Sequence, residues 1–243
     1  MKKLFLLSLA IVLVVGFAVS SHASVDKIYE VAVINVKGDV KVDPNADDTW
    51  MTPWVGMKLK EGAIIKTGAG AYLEVVFDAE GLNILKIKEN TQITVQKSMV
   101  DMMEGSVLAS FANLTGGSTF TVKTPNAACG IRGSGMGVDH IQGMTIASAY
   151  EDKVYVQGLD SAGNPVGKEV IIPEDWKAAV ATGGKVEPPT GLTPNEMLIW
   201  DAFVAAFEAG VGEAPKEPED QPDGKDLDDV KDEEKKKETS PSC

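Results

Sequence analysis

Beyond residue 24 the chain alternates apolar and polar side chains in short runs, the period-two pattern of strands with one buried face. Val31 to Val36, then Val40 and Val42, flank Lys37-Gly38-Asp39, which reads as a turn. Leu73, Val75 and Phe77 share one face of a strand. Residues 78–81 turn the chain, and Leu82, Ile84 with Leu85, and Ile87 begin the partner strand of a hairpin. Further runs carry Ile93 and Val95; Val107, Ala109 and Phe111; Phe120 and Val122; Met144 and Ile146; Val154 and Val156; and Val170 to Ile172. The pattern predicts an all-β domain, either a jelly-roll-like two-sheet sandwich or a short β-solenoid. No fixed-period consensus recurs, which favours the compact form over a long array.

Two stretches break the alternation. At the start, Lys2 and Lys3 precede an apolar run from Leu4 to Val19, and Ser21-His22-Ala23 supplies a small-x-small cleavage pattern. This reads as a signal peptide over residues 1–23, cleaved after Ala23, so the expected location is periplasmic or secreted. The apolar run is short for a membrane span, so no integral membrane segment is expected after cleavage. Near the other end, Thr193 is placed to cap a helix, with Pro194 at its first position and Glu196 completing a capping box. Met197, Trp200, Val204 and Phe207 make an apolar stripe that Ile199 and Phe203 widen, so the helix must bury a face against its own β domain or a partner. The expected divisions are a signal peptide (1–23), a β domain (24–190), an amphipathic helix (191–210) and an acidic tail (211–243). From Glu213 onward the tail holds 12 acidic residues and 6 lysines without one aromatic ring. Such a composition cannot offset the entropy of ordering, so disorder is expected there.

Charge narrows the function. Removing Lys2 and Lys3 takes the formal net charge from −13 to −15, which opposes binding to nucleic acid or to an anionic membrane surface. With His22 cleaved away, His140 is the one remaining histidine, so His-based zinc sites and most catalytic triads lack their parts. Cys129 and Cys243 form neither a Cys-x-x-Cys pair nor a disulfide framework. Asp43, Asn45 and Asp47 have the spacing of a calcium loop, but Asp48 and Trp54 stand where that loop needs Gly and Glu, so the segment reads as a solvated loop. Gly130, Gly133, Gly135 and Gly137 crowd together without the helix or the Gly-Lys-Ser/Thr ending that a phosphate cradle requires, and read as sites of close strand approach. No catalytic residue, metal or cofactor is expected, and the chain reads as a non-enzyme. Trp50 and Trp54, flanking Pro53, either pack over a sheet edge or offer a stacking platform for a sugar.

Several blocks together resemble the FecR-type periplasmic domain family. They are Val36-Lys37-Gly38-Asp39-Val40; Gly56, Leu59 and Gly62 before Ile65-Lys66-Thr67-Gly68-Ala69-Gly70-Ala71; Leu73 to Asp78; and Phe120-Thr121-Val122-Lys123-Thr124-Pro125 continued by Ala127 and Gly130-Ile131-Arg132-Gly133. The likeness spans about Val31 to Lys185. In that corner Pro125 fixes the turn and forces Thr124 extended, while the glycines let strands meet closely. Arg132, tucked under it, would bridge carbonyls or a carboxylate across sheets, or contact a ligand. Ser134 and Met136 depart from the residues the family usually places there. The resemblance implies a jelly-roll-like domain that binds without catalysis outside the cytoplasm. The family's anti-sigma regulators carry a cytoplasmic helical domain and a transmembrane helix before this domain. A cleavable signal in that position instead implies a stand-alone exported member. Expected partners are an envelope protein, through the Thr124 to Gly133 corner, the helix or the tail, or alternatively a glycan or cell wall through Trp50 and Trp54. A part in envelope sensing or signalling would follow from the first.

Overall fold

The computed structural model describes residues 31–78, 81–112, 114 and 118–210. The signal peptide and the acidic tail expected from the sequence lie outside the described residues. The fold is all-β with one C-terminal helix.

Among the described residues, sixteen strands run in chain order as β1 (Val31–Lys37), β2 (Val40–Asp43), β3 (Lys58–Leu59), β4 (Ile64–Thr67), β5 (Tyr72–Val76), β6 (Asn83–Ile87), β7 (Gln92–Val95), β8 (Met99–Phe111), β9 (Phe120–Lys123), β10 (Ala127–Ile131), β11 (Ser134–Ile141), β12 (Met144–Ala149), β13 (Lys153–Leu159), β14 (Pro165–Pro173), β15 (Trp176–Val180) and β16 (Thr190–Gly191). They form two facing sheets. Sheet A has the order β3-β1-β5-β6-β8-β11-β12-β15-β16, and sheet B the order β2-β4-β7-β8-β9-β10-β13-β14.

Strand β8 belongs to both. Its first half pairs with β7 and, in parallel, with β9; its second half pairs with β6 and β11. The crossing sits at Gly105, whose φ of 112° lies where L side chains rarely go and whose missing Cβ leaves room for Thr91. Strands before β8 in sequence lie on one flank of it and strands after it on the other, so β8 is the seam between two halves of the chain.

Alternation explains the core. Val75, Leu85, Ile87, Val107 and Ala109 of sheet A face Ile65, Ile93, Val100, Val122 and Val156 of sheet B in one continuous buried cluster. Phe77, Phe111 and Phe120 close one end of the sandwich, with Phe111 and Phe120 stacked at 4.1 Å. The turn after β1 forms where the sequence places it, with Gly38 at φ 80°. Its two strands do not pair, because β1 joins sheet A and β2 sheet B. In β12 the inward positions are Thr145, Ala147 and Ala149; Met144 is exposed and Ile146 half-buried, opposite to the face that apolarity alone indicates.

Helix α1 (Pro194–Gly210) starts with the capping box formed. Thr193 N–H donates to Glu196 Oε2 at 2.7 Å, and Glu196 N–H returns to Thr193 Oγ1 at 3.4 Å. Lys177 of β15 also holds Glu196, at 2.6 Å. Burial pushes the Glu196 carboxyl up, but the Lys177 and Thr193 donors outweigh it and hold the group below its ordinary value. The helix packs on the outer face of sheet A, where Trp200 and Phe203 bury against Val76, Ile84 and Leu108, with Ile34, Tyr150 and Phe207 alongside. Its buried stripe is narrower than the sequence pattern, since Met197 and Ile199 are exposed. At about 1.5 Å per residue its 17 residues span about 25 Å, most of the width from β15 to β1 at about 4.8 Å per strand. One helix thereby straps both halves of the sheet.

Candidate binding face

The helix covers the outer face of sheet A, whereas among the described residues no element packs over the outer face of sheet B. The glycine-rich β11 explains the first. A Cβ on Gly135 would sit 2.7 Å from Cη2 of Trp200, and one on Gly137 would sit 2.9 Å from Cε2 of Tyr150. Bare backbone at these two positions is the floor on which the aromatic rings lie. That is why the glycines cluster, and no phosphate cradle is involved. Gly133 serves differently, with φ 94° in the tight turn between β10 and β11, and Gly130 leaves room for Thr119 Cγ2 at 3.0 Å.

The Thr124-Pro125 corner and Arg132 do not form one site. They lie at opposite ends of β10, whose five residues extend over about 17 Å at about 3.3 Å each. Arg132 is therefore not tucked under the corner. It is exposed, and its guanidinium lies 4.6 Å from the centre of the Tyr155 ring on the outer side of sheet B.

The corner instead plugs the other end of the sandwich with a buried polar network that sequence reading of Thr124 and Pro125 alone misses. Asn126 Nδ2 donates to the carbonyls of Val180 at 2.8 Å and Gly143 at 3.2 Å, tying sheet B's corner to two turns of sheet A. Thr145 Oγ1 donates to Asn126 Oδ1 at 2.5 Å and stands 2.7 Å from Thr124 Oγ1 and 2.9 Å from His140 Nδ1. With the Thr145 proton directed to Asn126, His140 meets that hydroxyl as an Nδ1–H donor. Burial holds His140 below its ordinary pKa, with Glu104 opposing weakly, so it is a neutral structural ring at pH 7.

Trp50 and Trp54 sit at the far edge of sheet B, in the segment between β2 and β3. Trp50 is half-buried, its indole N–H donating to Asp48 Oδ1 at 2.9 Å and the Lys66 ammonium lying 4.1 Å from its ring centre. Trp54 is 57% exposed. Six strand spacings, about 29 Å, separate this edge from β10 and the Arg132 turn. The candidate residues thus divide into an Arg132–Tyr155 pair at one place on the face and a tryptophan pair at another. Asp43, the first of the calcium-spaced residues, turns its oxygens to the backbone N–H groups of Asp47 and Asp48 at 3.2 and 2.8 Å. Burial opposes ionisation, but those donors prevail and hold the carboxyl below its ordinary value. No group of three or more metal-ligating side chains occurs among the described residues. No helix among them is long and apolar enough to cross a membrane.

A family model described as "FecR protein" matches residues 63–155, from the turn before β4 into β13. The match is narrower than the span of the sequence resemblance and leaves β1 to β3, β14 to β16 and the helix outside it. Two crystal structures of a "putative anti-sigma factor" from Parabacteroides distasonis ATCC 8503 align with a TM-score of 0.46 and 17% identity. Each alignment covers 56% of this chain and 63% of that one, so the chain spans less than two thirds of that protein. No curated protein matches.

Proposed function

Because this chain carries a FecR-type domain over residues 63–155, we propose that it is a non-catalytic interaction module of the cell envelope. In this reading it is exported by its signal peptide and takes part in sensing or signalling through a protein partner. The observation that carries this reading is the asymmetry of the sandwich. The outer face of sheet A is occupied by the chain's own helix, while the outer face of sheet B presents Arg132 over Tyr155, and Lys123, to solvent. Arginine stacked on an aromatic ring is a group enriched at protein interfaces, since the ring fixes the guanidinium and leaves its N–H fork free.

A photo-crosslinking residue placed at Lys123 or Arg132, with Asp201 on the exposed side of the helix as control, tests the proposal in intact cells. The expected result is an adduct with one envelope protein from the two sheet B positions and none from Asp201. No adduct at Lys123 or Arg132, or the same adducts from Asp201, overturns it. Sequencing the exported protein's N-terminus tests the location, with Ser24 expected as the first residue.

A further inference from the structure

The edge of sheet B beside β2 carries a second arrangement, independent of the Arg132 region. Met51 exchanges two backbone hydrogen bonds with Val42, each 2.9 Å, so the chain about Met51 lies beside β2 as an added edge. Extended backbone sends alternate side chains to opposite sides. Met51 packs on the core and Pro53 is buried, which leaves Trp50, Thr52 and Trp54 on the outer face. The register agrees, because Thr52 falls opposite Lys41 and accepts from its Nζ at 3.2 Å.

Lys41 is in turn the cross-strand partner of Lys66. Like charges directly opposite one another destabilise a sheet. Among the described residues neither ammonium has a carboxylate partner: Lys41 meets the Thr52 hydroxyl and Lys66 the Trp50 ring. The neighbouring acids are held by their own loop. Asp43 takes two backbone N–H groups, Asp47 takes that of Thr49 at 3.1 Å, and Asp48 takes the Trp50 indole. The chain's overall acidity acts weakly here, since charges beyond about 8 Å are screened at physiological salt. Two cations side by side without a carboxylate partner among the described residues, with the exposed Trp54 two residues along the chain from Thr52, are a poor device for stability and a good one for holding an anion near a ring.

We propose that this edge binds an acidic polysaccharide. Sugar carboxylates meet Lys41 and Lys66, and the C–H face of an adjoining pyranose lies on Trp54, whose electron-rich face attracts it. An acidic peptide would satisfy the lysines and leave the exposed indole unused, which is why the sugar polymer is the better fit.

Calorimetric titration of the full exported chain with polygalacturonate tests the assignment, using dextran as the neutral polymer and polyglutamate as the acidic polypeptide. Polygalacturonate is expected to bind, more weakly as salt rises, and dextran not to bind. Trp54→Ala and the double variant Lys41→Gln/Lys66→Gln should each lower affinity tenfold or more with the thermal midpoint kept within a few degrees, whereas Asp201→Asn on the exposed side of the helix should leave it unchanged. Absence of polygalacturonate binding, or binding that neither variant alters, overturns the proposal. So does polyglutamate binding equally well with Trp54→Ala silent, which would assign the edge to an acidic polypeptide. Each failure leaves the crosslinking result at Lys123 standing, because that face is read separately.

Discussion

The indole of Trp200 lies flat against the ring of Tyr150, with centroids 4.7 Å apart and planes 3° from parallel. The stack fixes the helix over the glycine floor of β11, and burial together with the nearby Asp139 and Glu196 carboxylates pushes the Tyr150 phenol up to about 12. Gly135→Ala places a methyl group where the indole sits, so it should release the helix much as Trp200→Ala does. Each is expected to cost about 3 kcal/mol, or about 6–12 °C in melting temperature for a chain of this size. The double variant should lose little more than either single one, because both remove the same contact. Thermal melts of the three variants check this, and additive losses would show that the glycine serves some other purpose.

Gly105 should be irreplaceable. Alanine there meets both a backbone angle of 112° that opposes a side chain and an overlap with Thr91. Gly105→Ala is expected to lower stability by about 2 kcal/mol or more, read as a lower urea midpoint. A neutral outcome would mean that β8 passes between the sheets with slack.

Asn126 joins the corner of sheet B to two turns of sheet A, and Asn126→Leu leaves the carbonyls of Val180 and Gly143 buried without their donor. A loss of about 2–3 kcal/mol follows. The same network makes His140 a pH reporter. Its folded pKa is lowered, so folding favours the neutral ring. The associated stability is fully present above the unfolded value of about 6.5 and is lost as pH falls through the folded pKa. Proton NMR of the chain from Ser24 onward, in which His140 is the one histidine, should show that ring titrating below that value. Titration at or above 6.5 would contradict the buried network.

Cys129 is fully buried in the core, and its thiol is pushed up to about 12 by that burial. A thiol reagent at pH 8 should leave Cys129 unlabelled in the native chain and modify it only in denaturant. Fast native labelling at Cys129, located by peptide mapping, would show that the sheets part readily.

Much of the β architecture is legible as alternation, because most strands bury one face in a common core and polar residues mark the other. The hairpin of β5 and β6 is an example, with Val75 opposite Leu85. Less legible was the layer above it. Val75-Val76, Ile84-Leu85 and Val107-Leu108 break strict alternation, and one residue of each pair, Val76, Ile84 and Leu108, points at the helix. Doubled apolar positions on neighbouring strands were thus the available sign that this sheet is covered on both sides. The helix cap could be read because its chemistry is local, three residues from donor to acceptor. Arg132 could not be placed from the motif, since the blocks Thr124-Pro125 and Arg132-Gly133 look adjacent in sequence while an extended strand holds them apart. Lys41 and Lys66 are not legible as a pair for a related reason. Their meeting depends on the pairing of β2 with β4, which distant sequence positions do not announce.

The placement of β8 has a bearing on how the chain takes shape as it is synthesised from its N-terminus. Everything that borders one side of this strand is delivered before it, and everything that borders the other side comes after. A nascent chain that has just released Phe111 can finish only one flank and must hold a raw strand edge open in each sheet until β9 and β11 arrive. The helix, last of the described elements, then reaches back over β8 to strands near the start of the fold. Vectorial delivery therefore makes the closing of the strap the step that distinguishes a finished molecule from a sticky half.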